Sequence, residues 1–161
     1  MIGREITKHY KDITFRENRA RLKLLKEFLD LVIIYFDNST LNMMDGSHSE
    51  RQEAGEARAA INLIMKRAYK IIRLADIKTA TASTPLFAVG GKSQNIDLIL
   101  NIFNLGRNDI PPHAAIDYIE RAIDVYKADK VFSFVRTINP FFWISVLLGH
   151  IAGGLRKQDQ T

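Results

Sequence analysis

The stretch of the chain that most resembles a chemical motif is LFAVGGKS, residues 86–93. A phosphate-binding loop ends in Gly-Lys-Ser or Gly-Lys-Thr and opens with another glycine five positions before the glycine of that ending, because its backbone N–H groups wrap around the phosphates. Gly91, Lys92 and Ser93 match the ending, but Leu86 stands at the first glycine and no convincing strand precedes it. We therefore favour a Gly-Gly turn, with Ser93 as the N-cap of a following helix, over a mononucleotide site.

The other ionisable residues predict neither a metal site nor a catalytic site. No two histidines have the three- or four-residue spacing that places two imidazoles on one helical face: His9, His48, His113 and His150. Glu50, Glu53 and Glu56 share one face, but the helix dipole favours carboxylates in the first turns of any helix. The Ser-His-Ser tripeptide at 47–49 has no orienting acid or oxyanion hole marked beside it. We predict no catalytic residue, no metal and no cofactor, and the sequence leans against an enzyme.

The spacing of apolar residues predicts two long helices in the first half of the chain. Steps of seven, three and four relate the apolar residues of the first helix: Phe15, Leu22, Leu25, Leu29, Val32 and Phe36. Steps of four and three relate those of the second: Ala57, Ile61, Ile64, Ala68, Ile71 and Ala75. Each stripe lasts only about three heptads, so we expect an antiparallel helical hairpin within one bundle rather than an intermolecular coiled coil.

The second half of the chain predicts a loop and further helices. TATASTPLFAVGG, residues 79–91, is rich in residues that weaken a helix and predicts a loop. A short helix is expected from Ser93 to Gly106, and another after Pro111 or Pro112, with one apolar face formed by Ile116, Ile119, Ile123 and Tyr126. No β-hairpin signal is evident. The predicted fold class is all-α, a bundle of about six helices with a long N-terminal hairpin and an apolar C-terminal helix.

Length and composition bound the class of protein. A chain of 161 residues matches one ordinary domain, and the absence of cysteine excludes disulfides and thiolate metal sites. The first twelve residues have no apolar signal core, which predicts synthesis in the cytoplasm. The formal net charge of +5 favours contact with an anionic surface, whether lipid, nucleic acid or an acidic protein.

Four basic residues of the first predicted helix, spaced three or four apart, share one face: Arg16, Arg19, Lys23 and Lys26. They predict an anionic surface contact, although an ordinary solvated face is an open alternative. Nucleic acid is the less favoured partner, because Glu17 and Glu27 are interleaved with these residues and no recognition motif accompanies them.

In the C-terminal stretch RTINPFFWISVLLGHIAGGLRK, residues 136–157, nineteen residues without a formal charge separate Arg136 from Arg156, and His150 is the only ionisable side chain among them. Asn139 is a good N-cap and Pro140 suits the first helical position. Apolar side chains then occupy every side of the predicted helix, and six of them are predicted membrane or partner contacts: Phe141, Phe142, Trp143, Val146, Leu147 and Ile151. A helix from Pro140 to Leu155 would be about 24 Å long, which is shorter than the roughly 30 Å hydrocarbon core of a bilayer.

The sequences DYIERAIDVYKADK and RTINPFFWISVLL resemble a segment of uncharacterised bacterial proteins, in which an Arg-Thr-x-Asn-Pro-Phe-Phe-Trp run leads into an apolar tail. The resemblance covers about the last third of the chain and implies a membrane-seated tail and no particular activity. This chain departs from the pattern by stopping at GGLRKQDQT soon after the apolar run.

These observations predict three segments: a helical domain over 1–138, an apolar helix over 139–155 and a polar tail over 156–161. The favoured function is a non-enzymatic, cytoplasmic and membrane-associated protein, an interaction or assembly subunit. One alternative is a soluble subunit of a protein complex whose C-terminal helix is buried by a partner, with homo-oligomerisation possible. A nucleic-acid-binding protein using the basic face of the first helix is the weaker alternative.

Overall fold

A computed structural model describes residues 6–41, 48–83, 94–108 and 110–144 of the chain. After a short 3-10 turn at Tyr10–Asp12, helix α1 runs over Phe15–Asp37. A capping box fixes its start: the Thr14 hydroxyl accepts the N–H of Glu17 at 3.3 Å, and the Glu17 carboxylate accepts the N–H of Thr14 at 3.0 Å. Two N–H groups that have no partner within the helix are thereby satisfied.

One side of α1 is buried, and the sequence located it only approximately. Its buried residues are Asn18, Arg21, Leu25, Phe28, Val32 and Tyr35. Leu25 and Val32 belong to the predicted stripe, whereas Leu22, Leu29 and Phe36 are half-buried at its edge. The buried side of α1 is rotated relative to the predicted apolar stripe, because Arg21 and Tyr35 turn inward to make hydrogen bonds with their polar groups.

Helix α2 spans Gln52–Arg73 and packs along α1. The prediction for its buried side is confirmed at four positions: Ala57, Ile61, Ala68 and Ile71. Ala75, which follows the helix, is also buried, and Ile64 is half-buried. Small alanine side chains on this side bring the two helix backbones close together.

Four short strands form two antiparallel pairs in the described residues. Strand β1, Ser39–Leu41, pairs with β2, His48–Glu50, and β3, Ala80–Ser83, pairs with β4, Gln94–Asp97. Ser39 lies opposite Glu50, and Ala80 lies opposite Asp97.

These pairs correct three predictions. Hairpin strands are present although none was expected, residues 80–83 are a strand within the predicted loop, and residues 94–97 are a strand where a helix was expected to start at Ser93. Strands of three or four residues show too few alternations to be recognised from periodicity. Glu50 is likewise in β2 rather than in a helix, where it accepts hydrogen bonds from the Tyr35 hydroxyl at 3.0 Å and from the Arg58 guanidinium.

The second half of the described chain contributes further buried residues to the same core. A turn after β4, capped by the Asp97 carboxylate on the N–H of Ile99 at 3.1 Å, leads into a 3-10 helix at Ile102–Asn108. Helix α3, His113–Ala128, follows Pro112 and buries Ile119, Ile123 and Tyr126 as predicted. Helix α4, Lys130–Ile138, follows directly after Asp129, and residues 140–144 are helical again.

Tyr126 is the side chain that joins the three long helices. Its hydroxyl accepts a hydrogen bond from the Arg21 guanidinium of α1 at 3.2 Å and donates one to the Ile71 carbonyl of α2 at 3.1 Å. The described structure is mostly helical, which confirms the coarse fold class with the two small sheets added. The six-helix count and the N-terminal hairpin stay predictions.

Candidate docking surface

Helix α4 is packed with its polar side inward and its apolar side outward. Ser133 is fully buried, with 0% of its surface exposed, whereas Phe132 is 66% exposed. Five large apolar residues of α4 are exposed: Val131, Phe132, Phe134, Val135 and Ile138. Most helices at a protein surface have the reverse arrangement, with the apolar stripe facing the core.

Arg136 holds the inward side of α4 against the N-terminal segment. Its guanidinium donates hydrogen bonds to the carbonyls of Ile13 at 3.2 Å and Tyr10 at 3.3 Å. It also forms an ion pair with Asp129, whose carboxylate accepts from the Asn18 side chain of α1 at 3.3 Å. These contacts tie the end of α4 to the segment before α1, and the start of α4 to Asn18 of α1.

Thr137 adds a contact at the start of α1. Its hydroxyl accepts the N–H of Phe15 at 2.8 Å and donates to the Ser133 carbonyl at 2.7 Å. The N–H of Phe15 is one of the first four in α1, which have no acceptor within that helix. The polar side of α4 therefore supplies an acceptor for the first N–H of α1, which holds this side of α4 toward the protein.

The exposed apolar surface continues beyond α4. Asn139 ends α4 in an extended conformation, and its side-chain oxygen accepts the N–H of Phe141 at 3.0 Å, as the predicted N-cap requires. Phe141 is 77% exposed, and Ile144 and Trp143 are also exposed. The Trp143 indole N–H donates to the Thr137 carbonyl at 2.9 Å, which anchors the ring beside the end of α4.

We refer to the exposed side chains of this region together as the apolar docking face: Val131, Phe132, Phe134, Val135, Ile138, Phe141, Trp143 and Ile144. All eight lie within residues 131–144, and large exposed apolar patches mark sites where a protein contacts another protein, a membrane or a ligand. None of the helices in the described parts of the chain combines the length and the apolar character needed to cross a bilayer.

Some predicted contact residues lie on this face, and others lie outside the described residues. Phe141 and Trp143 are exposed on it, and Phe142 is half-buried with its ring 5.6 Å from that of Trp143. Val146, Leu147 and Ile151 lie outside the described residues, as do the three residues of the phosphate-loop ending, Gly91, Lys92 and Ser93.

The part of the apolar docking face that belongs to α4 is not predicted from the sequence. The pattern VFSFVRTI at 131–138 is amphipathic, with Ser133, Arg136 and Thr137 on one side. Periodicity shows that a helix has two different sides but not which side faces the protein. The predicted apolar segment therefore begins at residue 139 and does not include the exposed apolar residues of α4.

The four basic residues of α1 that the sequence predicts as an anionic surface contact lie on the exposed side of the helix. Arg16, Arg19, Lys23 and Lys26 are all exposed. Phe15, immediately before them, contacts Phe134 of the apolar docking face edge to face, with the ring centroids 5.8 Å apart. The structure thus joins the basic residues of α1 and the apolar docking face at this aromatic contact.

Ionisable groups behind the apolar docking face have structural roles. Burial raises the pKa of Tyr126, an effect that Arg21 opposes and Asp129 reinforces, so the phenol is neutral and acts as a hydrogen-bond donor to Ile71.

In the described residues, no group of three or more histidine, aspartate or glutamate side chains is arranged to hold a metal ion. No protein-family model, curated protein or solved structure matches the chain.

Proposed function

We propose that this chain is a non-enzymatic helical protein that docks on the cytoplasmic face of a membrane, as an interaction or assembly subunit. The apolar docking face lies in the interfacial layer of the bilayer, and the rest of the helical body stays in water. The observation that carries the proposal is the orientation of α4, whose polar side contacts protein and whose apolar side points away from it.

The exposed apolar side chains of α4 are unfavourable in water. Each large apolar side chain left in water forgoes about 1.5–3 kcal/mol relative to full burial. Rotation of α4 to bury Phe132 and Ile138 would remove Arg136 from its carbonyl acceptors and Thr137 from the N–H of Phe15. Contact with an apolar environment outside the protein would bury these side chains while Arg136 and Thr137 keep their hydrogen bonds.

The types of residue on the face favour lipid over a protein partner. Three phenylalanines and one tryptophan are among its eight residues, and tryptophan is enriched where the hydrocarbon meets the headgroups. The Trp143 indole N–H is already bonded to the Thr137 carbonyl, so its ring can insert without losing a hydrogen bond. Amphipathic helices of this kind lie in the membrane plane and insert their apolar side. The predicted contacts at Val146, Leu147 and Ile151 extend the same proposal toward the C-terminus.

Vesicle co-sedimentation of the full chain tests the proposal. Phosphatidylcholine vesicles, with and without phosphatidylserine, are titrated against the protein and its double variant F132S/I138S. Loss of each apolar side chain should remove about 1.5 kcal/mol of burial free energy, the lower end of the usual range. The double variant should therefore bind either vesicle about a hundredfold more weakly. The matched control is L63S, because Leu63 is an apolar residue that is 83% exposed on α2, outside the apolar docking face. The L63S variant should bind the vesicles as tightly as the unmodified chain does.

Two results would contradict the proposal. One is the absence of binding of the unmodified chain to both vesicles. The other is a double variant that binds both vesicles as tightly as the unmodified chain. A stable dimer in solution that F132S/I138S dissociates, without vesicle binding, would instead make this face a protein interface.

A further inference from the structure

The exposed charges of the first half of α1 all have one sign. Between Phe15 and Lys26 the exposed charged residues are Arg16, Arg19, Lys23 and Lys26. The acid in this range, Glu17, is half-buried and its carboxylate accepts both the N–H and the hydroxyl of Thr14 at 3.0 Å. Among the described residues, none of the four cations forms an ion pair.

The exposed acidic residues of α1 come after the basic ones along the helix. Glu27, Asp30 and Asp37 are exposed, and all come after Lys26. Asp12, before the helix, is the exposed acid on the near side. The first half of α1, which contacts α4 through Phe15, therefore exposes only basic charges, and the second half exposes only acidic ones.

The basic half of α1 borders the apolar docking face. The rings of Phe15 and Phe134 meet with their centroids 5.8 Å apart. Residues three and four apart are neighbours on a helix surface, so Arg19 lies one turn beyond Phe15 on the same side, about 6 Å along the axis. Lys23 and Lys26 continue the same stripe, and Arg16 lies beside it.

This arrangement matches the layers of a bilayer with negatively charged headgroups. Apolar side chains of an interfacial helix enter about 5–10 Å into the boundary between headgroups and acyl chains. The long stems of lysine and arginine let their charged groups remain at the level of the phosphates while neighbouring apolar groups insert. Cations that flank an inserted face therefore meet headgroups.

We propose that the apolar docking face and the basic stripe formed by Arg16, Arg19, Lys23 and Lys26 make one composite surface that selects anionic lipid. This inference rests on the proposed membrane docking and adds the class of lipid to it. The apolar docking face supplies insertion, and the basic stripe supplies preference for phosphatidylserine-like or phosphatidylglycerol-like headgroups over zwitterionic ones.

The experiment compares two double variants that each remove two positive charges. R19Q/K23Q removes them from the basic stripe. K66Q/R67Q removes them from exposed positions on α2, whose main helical neighbours are α1 and α3. Full-length proteins are titrated onto phosphatidylcholine vesicles, onto vesicles that also contain phosphatidylserine, and onto a DNA duplex, at low and high salt.

The inference predicts that the unmodified chain prefers the anionic vesicles and that R19Q/K23Q binds them about 30-fold less, since each cation near an anionic surface contributes about fivefold. Binding of R19Q/K23Q to pure phosphatidylcholine should be unchanged, and K66Q/R67Q should retain the preference. High salt should reduce the preference, because the screening length falls from about 10 Å at 0.1 M to about 3 Å at 1 M.

Equal binding of the unmodified chain to neutral and anionic vesicles would overturn the anionic selection and leave the membrane docking intact. Equal losses in the two double variants would also overturn it, because net charge rather than the stripe would then be responsible. Binding to neither vesicle removes both proposals. Binding to DNA that depends on Arg19 and Lys23, without vesicle binding, would assign the stripe to nucleic acid instead.

Discussion

The Arg136 guanidinium and the Asp129 carboxylate form an ion pair at opposite ends of α4, with the two side chains 19% and 6% exposed. Each partner also contacts the N-terminal part of the fold, Asp129 through Asn18 and Arg136 through the carbonyls of Ile13 and Tyr10. This pair determines which side of α4 faces the protein. The exposure of the apolar docking face follows from a polar contact in the interior.

We expect R136M to destabilise the fold by about 3 kcal/mol, near the lower end of the cost of breaking a buried ion pair because Arg136 keeps some exposure. The variant leaves the Asp129 carboxylate without its cation. Chemical denaturation measures the loss, with K130M as the control on an exposed residue of the same helix. A change below about 0.5 kcal/mol, as is usual for surface substitutions, would show that α4 is held by other contacts.

Tyr126→Phe should cost about 1–3 kcal/mol of unfolding free energy. The substitution leaves the Ile71 carbonyl and one Arg21 donor without their partner in the core, and unpaired buried groups carry that penalty. Tyr118→Phe is the matched control, because Tyr118 is on the same helix and only half-buried. Equal stability of the two variants would show that the Tyr126 hydroxyl does not join the three helices energetically.

The capping box of α1 predicts a pH-dependent contribution to stability. Burial alone would raise the pKa of Glu17, but hydrogen bonds from Thr14 and the charges of Lys8 and Arg21 outweigh it, and the pKa is lowered. A lowered pKa in the folded state means stability that is present above the unfolded value of about 4.3 and is lost as pH falls through the folded value.

We therefore expect the stability advantage of the unmodified chain over E17Q to be largest near neutral pH and to vanish under acid. T14A should cost about 1 kcal/mol at neutral pH and should reduce that pH-dependent difference. Thermal unfolding across a pH series measures both. An advantage over E17Q that grows as pH falls would contradict the assignment.

The sequence was sufficient to predict the helices that bury a long apolar stripe. In α2 and α3, positions such as Ile61, Ile71, Ile119 and Ile123 are both periodic and buried, because mostly apolar side chains form the buried sides of these helices. The prediction was less accurate in α1, where Arg21 and Tyr35 are buried through hydrogen bonds that depend on residues far away in the chain.

The orientation of α4 could not be predicted for the same reason. Arg136 and Thr137 look like ordinary solvated residues in the sequence, but their partners are Ile13, Tyr10 and Phe15, more than a hundred positions away. The short strands were missed because alternation needs more residues than β1 to β4 contain. Phe141 and Trp143, which the sequence predicts as contact residues, are exposed among the described residues, and their contact with a membrane or a partner stays a prediction.

The last prediction concerns the chain shortened to residues 1–138. Among the described residues, the buried ones end at Ser133, so removal of 139–161 takes no described core residue away. We expect the shortened chain to fold cooperatively, with the helical circular dichroism of α1 to α4, and to bind vesicles more weakly but measurably through α4. The full chain, in contrast, should need lipid, detergent or a partner to stay in solution at high concentration. A full chain that is monomeric without any of these, together with a shortened chain that unfolds or aggregates, would show that residues 139–161 belong to the core and would remove the basis for membrane docking.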